Sequence, residues 1–130
     1  MNNQITAKNL MDKAKRALES ARVLLEIGDA DGAANRAYYA MFDAARAALL
    51  ASSAEDMHDI GRTHSGLISA FSQRLVKNGL MSKDMGRLLN RAYETRQVAD
   101  YNGVSVELSD IAQMVEKAEA FITAVQLKFM

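Results

Sequence analysis

No proline occurs anywhere in the 130 residues, and glycine occurs only seven times. Proline removes a backbone donor and clashes with the preceding turn, and glycine costs a helix about 1 kcal/mol relative to alanine. A chain almost free of both can run as long helices with few interruptions. The residues between the breakers agree: alanine, leucine, methionine, glutamate, lysine and arginine, all good helix formers, dominate. Only Val104 and Val106 hint at a strand. The composition points to an all-α fold.

Apolar residues recur at helical spacing in five segments. The first covers about residues 5–27, with Leu10, Met11, Ala14, Ala17, Leu18 and Ala21 on one stripe; Gly28 ends it and Asp29 can cap the next. The second, about 30–51, carries Ala34, Ala37, Tyr38, Met41, Ala45, Ala48 and Leu49 on one face. Ala33, Ala40, Ala44 and Ala47 form another face, small enough for a neighbouring backbone to approach closely. A helix apolar over most of its circumference belongs at the centre of a bundle. Residues 52–62 form the longest connection. Thr63 can cap a third helix ending near Asn78-Gly79, Ser82 a fourth that gives out at Tyr101-Asn102-Gly103, and Ser109 a fifth. Short connections favour antiparallel neighbours, so the expected fold is an up-and-down bundle of four to five helices, one domain over residues 1–130.

Charge and composition exclude several function classes. Lys plus Arg and Asp plus Glu are each 16, a net charge of zero. That disfavours nucleic-acid binding by bulk electrostatics, which needs an excess of cations, but leaves a local basic site open. With no cysteine and only His58 and His64, neither a disulfide framework, a thiolate nucleophile nor a zinc site is expected. No Gly-rich phosphate loop and no nucleophile elbow is present, so no cofactor is expected. No apolar run approaches the roughly 18 residues of a membrane span. The N-terminus lacks a signal-peptide pattern, and the expectation is a soluble cytoplasmic protein.

Some polar residues do not fit a plain bundle. Projecting the second helix at about 100° per residue leaves a narrow strip of Asn35, Arg36, Tyr39, Asp43 and Arg46. It reads either as a solvated face with weak intrahelical pairs or as the lining of a cleft or interface. On the fourth helix, Arg96 projects into the apolar stripe of Leu88, Leu89, Ala92 and Ala99. An inward guanidinium needs a polar partner, with Asp43, Asp100, Glu116 and Glu119 as candidates. It reads either as half of an ion pair that fixes helix register or as a phosphate-binding group. His64 lies on its own apolar stripe, in a first turn that disfavours its cationic form. The small-residue face and the inward arginine suggest that a second copy packs there, as a homodimer.

Three phrases in order, Asn35-Arg36-Ala37-Tyr38-Tyr39-Ala40-Met41-Phe42-Asp43-Ala44-Ala45-Arg46-Ala47, then Thr63-His64-Ser65-Gly66-Leu67-Ile68, then Arg96-Gln97-Val98-Ala99-Asp100-Tyr101, carry a resemblance across nearly the whole chain. Together they resemble the HEPN family (higher eukaryotes and prokaryotes nucleotide-binding), in its short, stand-alone prokaryotic branch. The resemblance implies a helical bundle, usually dimeric, often paired with a minimal nucleotidyltransferase in toxin–antitoxin or defence systems. Many family members look like metal-independent ribonucleases built on an Arg followed within a few residues by a His. Here the Arg is Arg96, and Tyr101 stands five residues on, where a His would be expected. The candidate catalytic residues are Arg96, Asp100, Tyr101 and His64, but a phenol with a pKa of about 10 is a poor base at neutral pH. Proton removal would fall to Asp43, Asp100 or a His64 brought near by dimerisation, with Arg96 and Arg36 stabilising the charge on phosphorus.

Three functions follow as expectations. The first is a nucleotide- or RNA-binding module whose pocket comprises Arg36, Tyr39, Asp43, Arg46, Arg96, Asp100 and Tyr101, with Tyr101 as a site of nucleotide attachment by the partner enzyme. The second is a metal-independent endoribonuclease toxin. The third is a non-catalytic dimeric scaffold.

Overall fold

The computed structural model describes residues 6–52, 63–101 and 106–130, so His58 and Val104 lie outside the described residues. Five α-helices follow one another: α1 (Ala7–Glu26), α2 (Ala30–Ser52), α3 (His64–Phe71), α4 (Lys83–Tyr101) and α5 (Leu108–Phe129). Among the described residues there is no strand, and no helix is long and apolar enough to cross a membrane. The chain is an all-α helical bundle.

The helix ends are written locally. Thr6 Oγ1 accepts from the Asn9 backbone N–H at 3.0 Å and starts α1. Gly28, at φ +83°, ends it. Two bonds close that end, Gly28 N–H to the Leu25 carbonyl at 3.1 Å and Asp29 N–H to the Leu24 carbonyl at 2.9 Å. Asp29 then turns around and caps α2, its Oδ1 accepting from Gly32 N–H at 2.9 Å. Thr63 caps α3 through Gly66 N–H at 2.9 Å, and Ser82 caps α4 through Met85 N–H at 3.3 Å.

Two expectations need correction. The third helix does not run uniformly to Asn78; after Phe71 it widens into one π-helical turn over Ser72–Val76 before Gly79, at φ +75°, ends it. Ser109 is not the cap of α5. The helix begins two residues earlier than a Ser109 cap would set it, at Leu108, with Glu107 in the capping position and no side-chain cap bond, so Ser109 sits inside the first turn.

Helix α2 is the centre. It packs most extensively against α1, then α5 and α4, and also against α3. Ala33, Ala40, Ala44 and Ala47 have no exposed surface, and α1 contributes its own fully buried Ala14, Ala17 and Ala21. With no side chain beyond Cβ, these positions allow close approach of the helix axes. The small-residue face is thus covered by the chain's own helices, and it supplies no argument for a second copy. Larger groups fill the rest of the core, among them Phe71 and Phe121, whose rings lie 5.4 Å apart.

Candidate functional site

The side of α2 that meets α3 and α4 is built differently. It presents Tyr38, Tyr39 and Phe42, which at helical spacing share one edge of the helix. His64, the first residue of α3, is carried to them by the Thr63 cap, and α4 brings Tyr93 and Arg96. The imidazole sits among rings on several sides: Phe42 at 4.9 Å, Tyr38 at 5.4 Å, Tyr93 at 5.8 Å and nearly parallel, and Tyr39 at 5.9 Å edge-on. Tyr38 is fully buried, and its hydroxyl lies 2.6 Å from His64 Nδ1. Gln97 Nε2 donates to the Tyr93 hydroxyl at 2.9 Å, steadying that ring from one turn along α4.

The Arg96 guanidinium carbon lies 5.4 Å from the Tyr39 ring centre and 5.7 Å from that of Tyr38. Its Nη2 donates to the Tyr39 hydroxyl across a long 3.4 Å. A cation over an aromatic face is worth about 0.5–2 kcal/mol, more as water is excluded. This attraction accounts for how an arginine can sit half-buried on an apolar stripe.

Burial, and secondarily the Arg96 charge, hold the His64 imidazole below its ordinary pKa, which favours the neutral form at pH 7. Burial also pushes the Tyr38 phenol far above its ordinary value, against a smaller opposing pull from Arg96. The phenol keeps its proton throughout the physiological range.

A charged strip adjoins this cluster on α2. Asp43 is 7% exposed, and Arg46 Nη1 approaches its Oδ1 at 3.8 Å. Burial raises the Asp43 carboxyl above its usual range, while Lys13 of α1, Arg46 and Arg36 pull it back down. Of the acids considered for Arg96, Asp43 pairs with Arg46 and Glu119 with Arg22.

The structure therefore gathers Arg96, Tyr39 and His64 into one cluster and sets Arg36, Asp43 and Arg46 beside it as a second group on the same helix. Asp100 and Tyr101 fall in the last turn of α4, and their side chains lie outside the described residues. Sequence reasoning placed Tyr38 on the apolar face and passed over Phe42, Tyr93 and Gln97. One signal was available: a phenol on a buried stripe needs a polar partner, and a histidine on the neighbouring helix can supply it. Among the described residues, no group of three His, Cys, Asp or Glu side chains is placed to hold a metal ion.

A groove of about 320 Å³ opens elsewhere, between α2, α4 and α5, over Met41, Leu88, Ala92, Ile111 and Met114. Arg91, Glu107, Asp110 and Lys117 rim it, and none of the candidate residues lines it.

Comparison with known proteins bears on this geometry. The chain is 34% identical to a UPF0332 protein of Thermotoga maritima over 88% of its own length and 83% of that protein. It is likewise 34% identical to a UPF0332 protein of Gloeobacter violaceus, over 95% of this chain and 94% of that one. A protein of Methanocaldococcus jannaschii named as a candidate toxin is 28% identical over 90% of this chain and 84% of its own. The model of the HEPN domain matches residues 7–128, from the first turn of α1 to the last turn of α5, and with these relatives and this all-α bundle it establishes that the chain belongs to the HEPN domain family.

Proposed function

We propose that this chain is a nucleotide- or RNA-binding HEPN module of a toxin–antitoxin or defence system, acting as a homodimer and alongside a minimal nucleotidyltransferase. One observation carries the binding half of this reading: the Arg96 guanidinium is held over Tyr38 and Tyr39 beside a neutral His64. A planar fork of donors suits phosphate oxygens, and the half-buried Tyr39 and Tyr93 rings beside it offer stacking faces to a base. Arg36 and Arg46 extend the cationic surface along α2. The candidate-toxin relatives support the biological setting, and the family resemblance supports the partners and Tyr101 as a site of nucleotide attachment.

A second reading, a metal-independent endoribonuclease, is favoured by His64 standing in the same cluster as Arg96. Phosphodiester cleavage without metal needs a group to stabilise the charge on phosphorus and groups that exchange protons with oxygen. A scaffold whose polar strip only orders a dimer interface is the remaining alternative.

One experiment separates the three. A pool of end-labelled single-stranded RNA is mixed with wild type and with Arg96→Ala in EDTA, followed by fluorescence polarisation and on a sequencing gel. Binding without cleavage that weakens in Arg96→Ala is the expected result. Cleavage that Arg96→Ala abolishes makes the chain a ribonuclease. Wild-type protein that neither binds nor cleaves refutes both and leaves the scaffold.

A further inference from the structure

The bond between Tyr38 and His64 decides what the imidazole can offer. Tyr38 has no exposed surface, and the hydrogen bond its hydroxyl makes is the 2.6 Å contact with His64 Nδ1. If Nδ1 carried the proton and donated, the phenol O–H would be a buried donor with no acceptor among the described residues. That costs about 1–3 kcal/mol. If the phenol donates, both groups are satisfied. We propose that Tyr38 is a positioning residue, donating to Nδ1 so that His64 is held as the Nε2–H tautomer and presents a hydrogen-bond donor, beside Arg96, to a phosphate oxygen.

This rests on the nucleotide-binding reading and sharpens it. Two donors of different kinds, a guanidinium and a neutral imidazole N–H, then converge on one class of ligand, the phosphate monoester or diester. The surroundings keep the ring in place. Phe42, Tyr39 and the nearly parallel Tyr93 ring surround it, and among the described residues Arg96 is the charged group identified as acting on it. The tautomer also limits the chemistry. Nε2 bearing a proton has no lone pair in the ring plane, so at that atom His64 can donate to an oxyanion but cannot take a proton from a 2′-hydroxyl.

The tautomer is read directly from nitrogen–proton correlations of histidine-labelled full-length protein at pH 7.5, with the His64 signals assigned by their loss in His64→Gln. A protonated Nε2 and an unprotonated Nδ1 are expected in the wild type. In Tyr38→Phe the bond that favours the neutral ring is gone, so the His64 midpoint rises by about half to one pH unit. Inorganic phosphate is then titrated and followed on the Tyr39 and Arg96 amides. His64→Gln, which keeps a donor near the Nε2 position, retains affinity within about threefold, whereas His64→Ala loses about tenfold. A proton on Nδ1 in the wild type overturns the proposal even if RNA binds and even if Tyr38→Phe fails to fold. Equal phosphate affinity of wild type and His64→Ala overturns the donor role. A wild type with the expected tautomer that ignores phosphate refutes the binding reading and the donor role together, and leaves Tyr38 as the group that orients the ring.

Discussion

Helix α2 has two unlike sides. On one side it carries Ala33, Ala40, Ala44 and Ala47, none with exposed surface, and α1, the helix it packs against most extensively, has buried alanines of its own. Toward α3 and α4 it offers tyrosines, a phenylalanine and, one strip over, a buried carboxylate between arginines. The first side gains stability from close approach and has no chemistry to offer. The second holds larger groups: Tyr38, Phe42 and Asp43 are buried, while Tyr39, Arg36 and Arg46 are only partly covered. One helix thereby joins the bundle together and furnishes its site, and the two roles are separable by substitution.

The largest expected effect breaks the closed side. Ala44→Leu inserts three carbon atoms where there is no free space, and overpacking of this kind costs about 1–3 kcal/mol. Urea denaturation should show that loss, while the RNA affinity of the folded fraction stays within about twofold. A variant as stable as wild type would mean that the alanine contact is looser than described.

Arg96→Ala is the complementary test. RNA affinity should fall at least about tenfold, or roughly 1.4 kcal/mol, with a stability loss of about 0.5–2 kcal/mol from the half-buried cation–π contact. The same variant sharpens the electrostatics. The His64 midpoint, held below 6.5 by burial and by Arg96, should rise in Arg96→Ala but remain below 6.5, because burial is the larger cause.

The pH dependence of stability separates the cluster from its neighbouring strip. A histidine depressed in the folded state binds protons more readily unfolded, so its contribution is present above pH 6.5 and lost as pH falls below it. Asp43 has the opposite sign. Its folded pKa is raised, so its contribution is complete below 3.8 and is lost as pH rises through the folded value. Asp43→Asn should therefore gain on wild type as pH rises above 3.8, and His64→Gln should lose the decline below 6.5. Reversed slopes in denaturation curves collected from pH 4 to 8 would contradict the burial assigned to each.

The smallest effect concerns Tyr39. Its hydroxyl meets Arg96 Nη2 at 3.4 Å, too long for a strong bond, whereas its ring lies under the guanidinium. Tyr39→Phe should weaken RNA binding less than about threefold, and Tyr39→Ala considerably more. Equal losses would shift the weight from the ring to the hydroxyl.

Much of this was legible in the sequence, and the missing part has a physical cause. Caps and stops are local, so Thr63, Ser82, Asp29 and the two positive-φ glycines mark the helix ends within a residue or two. The exceptions were Ser109, where backbone pairing from Glu107 began the helix earlier, and the π-helical turn after Phe71, which no residue type announces. Arg96 stood out as a charge on an apolar stripe. What it meets was not readable, because helix rotation decides whether a guanidinium finds a carboxylate or a ring. Of the candidate acids, Asp43 is found with Arg46 and Glu119 with Arg22, and the Asp100 side chain lies outside the described residues. The rings of Tyr38 and Tyr39 are among the groups that Arg96 meets. Tyr38 was hidden for the same reason, since a tyrosine and a leucine are alike to a periodicity argument until the residue opposite the hydroxyl is known.

The central claim, that the cluster around Arg96 is where RNA meets this chain, is tested most directly by titrating a short single-stranded RNA into nitrogen-labelled protein and mapping the shifts. The account predicts changes centred on Tyr39, His64, Tyr93 and Arg96, extending along α2 to Arg36 and Arg46. Shifts confined to the groove near Arg91 and Lys117, or none at saturating RNA, would contradict it.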